Sequence, residues 1–181
     1  IELETPIAYL KGLDLDVQWD EHIPKFIYSD RMKVHRIILN LLGNAIKFTE
    51  KGSVCISVDL IEEKNYHVMV RFRVKDTGIG ILEEQQNKVF DRFYKAMPSY
   101  KGIYCGHGVG LHIVLAYVKR LGGDIQLISK PGVGTTFEFE LEFDYLHTDP
   151  SVTHCHKNNN QYEHPPHLFA AKEPCHVLIV E

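Results

Sequence analysis

Apolar residues recur along most of this chain at two spacings, one helical and one strand-like. Between Arg31 and Thr49 they fall at Val34, Ile37, Ile38, Leu41, Leu42, Ala45 and Phe48, the stripe of an amphipathic helix. Ser29 or Asp30 stands where its N-cap belongs, and Gly52 closes the segment. Strict alternation marks strands instead. It occurs at Leu13, Leu15 and Val17, at Val54, Ile56, Val58 and Leu60, at Val68, Val70, Phe72 and Val74, and at Phe137, Phe139, Leu141 and Phe143. Glu63 to Asn65 separates two of these runs as a hairpin turn. Phe26–Tyr28 and Ile125–Leu127 predict shorter strands. Ile7–Lys11 reads as the end of a helix stopped at Gly12. Further helices are predicted over 83–93 and 108–121, the second ending at Gly122 and Gly123. Gly132 to Gly134 turns the chain into its last long strand. Together these elements predict an α+β, two-layer sandwich: a mixed, mainly antiparallel sheet with helices on one face.

The pattern stops near residue 144. Residues 144–172 carry an Asn-rich run, Pro165 and Pro166, and no apolar period, so they read as a polar tether. Residues 173–181 then begin a buried-type strand. Three parts follow: a compact module over 1–143, a linker over 144–172, and a new start over 173–181. Composition adds little against this. The chain has 181 residues, 44% of them hydrophobic, and a net charge of −4, which argues against nucleic-acid binding. No apolar run approaches the ~20 residues that span a bilayer, so no direct membrane contact is expected. The first residues have neither an initiator Met nor the character of a signal peptide, and the chain is expected to be part of a longer protein. Four cysteines without a C-x-x-C pair fit a reduced, cytoplasmic compartment. Of the 11 histidines, six lie after residue 144. The His154-Cys155-His156 group has poor spacing for a structural zinc site, and a solvated tether is the expected reading.

The candidate chemistry lies in three places. Asp76-Thr77-Gly78-Ile79-Gly80 ends a predicted strand, and Gly106-His107-Gly108-Val109-Gly110 opens a predicted helix. Glycines let backbone approach a ligand, and N–H groups at a helix start attract anions. The second cluster is thus a candidate phosphate site, although either cluster alone could be a tight turn. No Gly-Lys-Ser or Gly-Lys-Thr follows it, which excludes a Walker A loop. On the long helix, Asn40, Asn44 and Lys47 share one face. An amide oxygen suits Mg²⁺ that arrives with phosphates, and Lys47 can meet those phosphates as a point charge. Asp76 only accepts hydrogen bonds, so it would favour the exocyclic amine of adenine over the carbonyl of guanine.

These residues resemble the boxes of sensor histidine kinases. Asn40–Thr49 (NLLGNAIKFT) resembles the N box, Asp76–Gly80 the G1 box, Phe90–Phe93 (FDRF) the F box, and Gly106–Leu111 (GHGVGL) the G2 box. They occur in that order, over residues ~5–143. Gly122-Gly123 and Gly132–Phe137 match the family's closing strands. The resemblance implies the Bergerat ATP-binding fold and a bound ATP with Mg²⁺. It implies that Asp76 binds adenine, that Asn44 ligates Mg²⁺ with Asn40 beside it, and that Lys47 and Lys95 face the phosphates. Asn40, Asn44 and Lys47 are the residues it places nearest the chemistry. It implies that Phe48 borders the base, and that Gly78, Gly80, Ile81, Gly106, His107, Gly108, Val109, Gly110, Leu111 and Thr136 complete the nucleotide site. Residues 94–105 would form a lid over it. Lys95 stands where the family often has Arg, and His107 where it commonly has a small residue.

In ATPase relatives a Glu stands four residues before the metal-binding Asn and activates water. Here that position is Asn40, and an amide cannot act as that base. The resemblance therefore implies a protein-histidine kinase, not a hydrolase. Its phosphoacceptor histidine would lie in a dimerisation domain, and no histidine of this chain has the sequence context of one. The run His176–Glu181 resembles the first strand of a receiver domain, which would make the parent a hybrid kinase in a two-component phosphorelay. An ATPase of the related families and a degenerate nucleotide-binding scaffold are the alternatives.

Overall fold

The computed structural model describes residues 5–95, 108–145 and 176–179. Four helices are present among them: α1 (Thr5–Lys11), α2 (Arg31–Phe48), α3 (Glu83–Gln86) and α4 (Gly110–Arg120). The strands are β1 (Asp14–Trp19), β2 (Phe26–Ser29), β3 (Ser53–Lys64), β4 (His67–Asp76), β5 (Asp124–Lys130), β6 (Gly134–Tyr145) and β7 (His176–Ile179). They form one sheet. β1 is parallel to β3, and every other pairing is antiparallel: β3 with β4, β4 with β6, β6 with both β5 and β2, and β2 with β7. β6 is long enough to serve two neighbours on one edge, β5 along its first half and β2 at Asp144 and Tyr145.

The period-two pattern decides which face is covered. Val68, Val70, Phe72 and Val74 of β4 and Phe137, Phe139, Leu141 and Phe143 of β6 are buried on one face. Against them lie Ile37, Leu41, Leu42 and Ile46 of α2, and Val114 and Val118 of α4. Phe72 stacks on Phe139 with ring centroids 5.0 Å apart. The intervening residues carry charge. Arg71 bonds Glu140 at 2.6 Å and Arg73 bonds Asp59 at 2.6 Å across the strands, so the second face suits water. This is the expected two-layer α+β arrangement. Among the described residues no helix is long and apolar enough to cross a membrane.

Four boundaries differ from the sequence reading. The helix expected over 83–93 stops at Gln86, and i→i−3 turns carry the chain onward through Lys88 and Asp91. Phe93 has φ +65°, so the segment cannot stay helical to its expected end, and Phe90 packs edge-on against Phe137. α4 begins at Gly110 instead of residue 108, because Gly108 has φ +69° and cannot be helical. The hairpin turn lies at Asn65 and Tyr66, with Glu63 and Lys64 still paired to Val68 and His67. β6 continues through Asp144 and Tyr145, which composition assigns to the tether; Tyr145 is buried and hydrogen-bonds Glu63.

Candidate functional site

A cleft of about 720 Å³ opens between α2, the segment after β4, the start of α4 and the inner face of β6. α2 supplies Asn40, Asn44, Lys47 and Phe48 to its wall, four residues that helical spacing puts on one side. Asn40 is oriented by its own helix, because its Nδ2 donates to the Arg36 carbonyl at 2.8 Å. Its Oδ1 then meets the start of α4 so closely that a Cβ on Gly110 would lie 2.9 Å from it. Lys47 Nζ rests 4.9 Å from the centre of the Phe48 ring, a cation held against an aromatic face.

Asp76 ends β4 at the floor of the cleft and is 7% exposed. Its Oδ1 accepts from Gly78 N at 2.8 Å and from Thr135 N at 3.2 Å. Among the described residues no donor reaches Oδ2, which leaves that oxygen as the acceptor for a ligand. Burial pushes the Asp76 carboxyl above the ordinary carboxylate range, against the two N–H donors that pull it down. The following loop is tied on both sides. Ile79 N donates to Phe48 O at 3.2 Å, at the end of α2, and Gly132 N donates to Ile79 O at 2.8 Å from the β5–β6 turn. Ile81 N donates to Ser129 Oγ at 2.9 Å. Gly78 packs against Phe48 O, while Gly80 and Ile81 line the cleft.

The third wall is the start of α4. Its first N–H groups have no intrahelical acceptor, and the Val109 N-cap gives no side-chain bond, so they are available to an anion. Gly108, Val109, Gly110 and Leu111 all line the cleft. Phe93 N donates to Gly108 O at 2.8 Å, which brings Tyr94 and Lys95 to the same wall. Gly106, His107 and most of the expected lid lie outside the described residues. A cation, an aromatic ring, a buried carboxylate and a bare helix start thus converge on one cavity. The set suits a ligand with a hydrogen-bonding aromatic base at one end and anionic groups at the other. The amide oxygens of Asn40 and Asn44 suit Mg²⁺ that comes with those anions. Among the described residues, no cluster of three carboxylate, His or Cys groups offers a metal an independent site.

One expected residue faces elsewhere. Thr136 pairs with Lys75 and Ile128 and does not line the cleft, whereas Thr135 does. Thr135 is 6% exposed, its N–H holds Asp76, and its Oγ1 lies 2.9 Å from Ser129 Oγ. The parity of β6 could have shown this, since Thr135 shares a face with Phe137. Gln85, Val89 and Pro131 also line the cleft, and no motif marks them.

The family model described as "Histidine kinase-, DNA gyrase B-, and HSP90-like ATPase" matches residues 29–145. Hybrid signal transduction histidine kinase B of Dictyostelium discoideum is 38% identical over 141 residues, 78% of this chain and 7% of that protein. Signal transduction histidine-protein kinase BarA of Escherichia coli K12 is 39% identical over 134 residues, 74% of this chain and 15% of that protein. The chain therefore spans a small part of the length of these relatives. A solved structure described as full-length ShkA in complex with AMPPNP superposes with a TM-score of 0.69 at 32% identity. It covers 80% of this chain and 28% of that one.

Proposed function

The chain belongs to the histidine kinase-, DNA gyrase B- and HSP90-like ATPase family, and from that premise we propose that it is the ATP-binding catalytic domain of a hybrid sensor histidine kinase. The observation that carries this reading is Asp76: a buried carboxylate, held by two backbone N–H groups on one oxygen, on the floor of a cleft whose far wall is a bare helix start. Oδ2 of Asp76 accepts from the adenine amine, and Phe48 and Ile81 border the base. The N–H groups at the start of α4, with Lys47 and Lys95, meet the phosphates. Asn44 holds Mg²⁺ with Asn40 beside it, and the ion supplies charge neutralisation to the phosphate groups when bound.

The rest of the protein follows from the same reading. The γ-phosphate goes to a histidine of a dimerisation domain outside this chain, then to a receiver domain beyond the tether that follows Tyr145. The domain works in the cytoplasm. The protein contributes position and charge, as phosphoryl transfer generally requires. Water is not activated, because Asn40 occupies the place a carboxylate base would need.

The chain alone should therefore bind ATP, more tightly with Mg²⁺ than without, and should show steady-state hydrolysis no faster than the Asp76→Asn variant. Calorimetry and phosphate release test the two parts. Rapid turnover that disappears in Asp76→Asn would replace the kinase reading with an ATPase. Absence of any nucleotide binding would reduce the module to a scaffold.

A further inference from the structure

The C-terminal end of α2 carries the adenine side of the site, and the acceptors on it can be followed one by one. A helix leaves its last carbonyls without intrahelical partners, and a glycine in the left-handed conformation often serves them. Here Thr49 is the C-cap, in extended conformation, and its N–H and Oγ1 both turn back to Ala45 O, at 3.1 Å and 2.7 Å. Phe48 O accepts from Ile79 N in the loop after Asp76. The carbonyls of Ile46, Lys47 and Thr49 go to a residue 35 to 38 positions earlier, Lys11, whose Nζ bonds them at 2.7, 3.1 and 3.1 Å.

One ammonium group thus closes the helix end from α1, using all three of its protons and placing positive charge at the negative pole of the helix. Its own helix is set by the buried Ala8 and by Leu13 N donating to Ala8 O at 3.0 Å. The adenine loop hangs from the carbonyl between those Lys11 holds.

We infer that Lys11 is a positioning residue for the nucleotide: its three bonds hold the end of α2 in the place from which Phe48 O secures Ile79 and hence the Asp76–Gly80 loop. This rests on the reading of the cleft as a nucleotide site. Moving α1 off the helix end loosens the adenine side without touching any group that meets the ligand.

The test uses the 181-residue chain with Lys11→Met, which keeps the apolar stem and removes the charge, and Lys11→Arg, which restores donors. Tyr9→Ala, an 82% exposed side chain on the same helix, is the control. Lys11→Met should weaken ADP binding about five- to tenfold by calorimetry. It should speed amide exchange at Ile79 more than at core amides of β4, and Lys11→Arg should recover most of both. A lowered melting temperature with ADP affinity within twofold of wild type would overturn the inference and leave Lys11 a helix cap. Wild-type chain that binds no ADP would sink the reading of the cleft. In that case Ile79 exchange still reports whether the clasp holds the loop.

Discussion

Replacing Asp76 by Asn should weaken adenine-nucleotide binding about 100-fold while leaving the chain folded. The swap is nearly isosteric. The Asn Oδ1 can still accept from Gly78 N and Thr135 N, which now bond Asp76 Oδ1. The other position then becomes an NH₂ group, a donor facing the amine donor of the base. A lost hydrogen bond to a charged acceptor is worth about 1.5–3 kcal/mol, and the mismatch adds desolvation to it. Stability should move the other way. Burial raises the folded-state pKa of Asp76 above its unfolded value, so the ionised form opposes folding. That group favours the folded state below its unfolded pKa and loses this contribution as pH rises through the folded pKa. Near neutral pH the variant should melt no lower than wild type, and its advantage should vanish on acidification. Calorimetric titration with ADP and thermal melts across pH check both halves. Unchanged affinity, or a variant that unfolds, would contradict the role given to Asp76.

Gly80→Ala should lower stability by about 3 kcal/mol and remove nucleotide binding with it. Gly80 has φ +68°, which by itself disfavours a side chain by about 1–2 kcal/mol. An added Cβ would also lie 2.1 Å from Lys130 O, a backbone atom of the β5–β6 turn. Either the loop moves away from the turn, breaking the bond from Gly132 N to Ile79 O, or the turn moves away from β6. Overpacking against a fixed neighbour costs about 1–3 kcal/mol. Gly122→Ala separates the two effects: φ is +84° there, and nothing lies within 4 Å of the added Cβ. That variant should lose only about 1–2 kcal/mol and should bind ADP normally. Denaturant titration of the two variants measures the difference.

Much of this was legible in the residues. The apolar stripe of α2 fixed its extent to within a residue of Arg31–Phe48, because the burial of Val34, Ile37, Leu41 and Leu42 leaves a helix no other register. The alternating runs gave β3, β4 and β6 and showed which of their faces is covered. The boxes group Asn40, Asn44, Lys47 and Asp76, and all four line the cleft. What the sequence could not show were contacts set by distant backbone. Thr135 and Thr136 are the exception: chemically the same, they are separated by strand parity, which Phe137 already marks. Lys11 looks like any lysine at the end of a short helix. Its acceptors are carbonyls, which every residue has, so no motif announces them.

The place of β1 bears on the order in which the chain can fold. β1 lies at the sheet edge, parallel to β3, and Asp16 pairs with Cys55, 39 residues away. The β3–β4 hairpin closes over a two-residue turn, so it can form within microseconds once the chain is free to search. Strand β1 pairs with β3 alone, and joining it closes a loop containing β2 and α2. Its pairing is therefore a late event, and in the native ensemble an early one to open. Because Lys11 stands three residues before β1, opening of this edge also withdraws the ammonium from α2. A fluctuation that releases only Ala8 and Leu13 from the edge of the core thus reaches the nucleotide site.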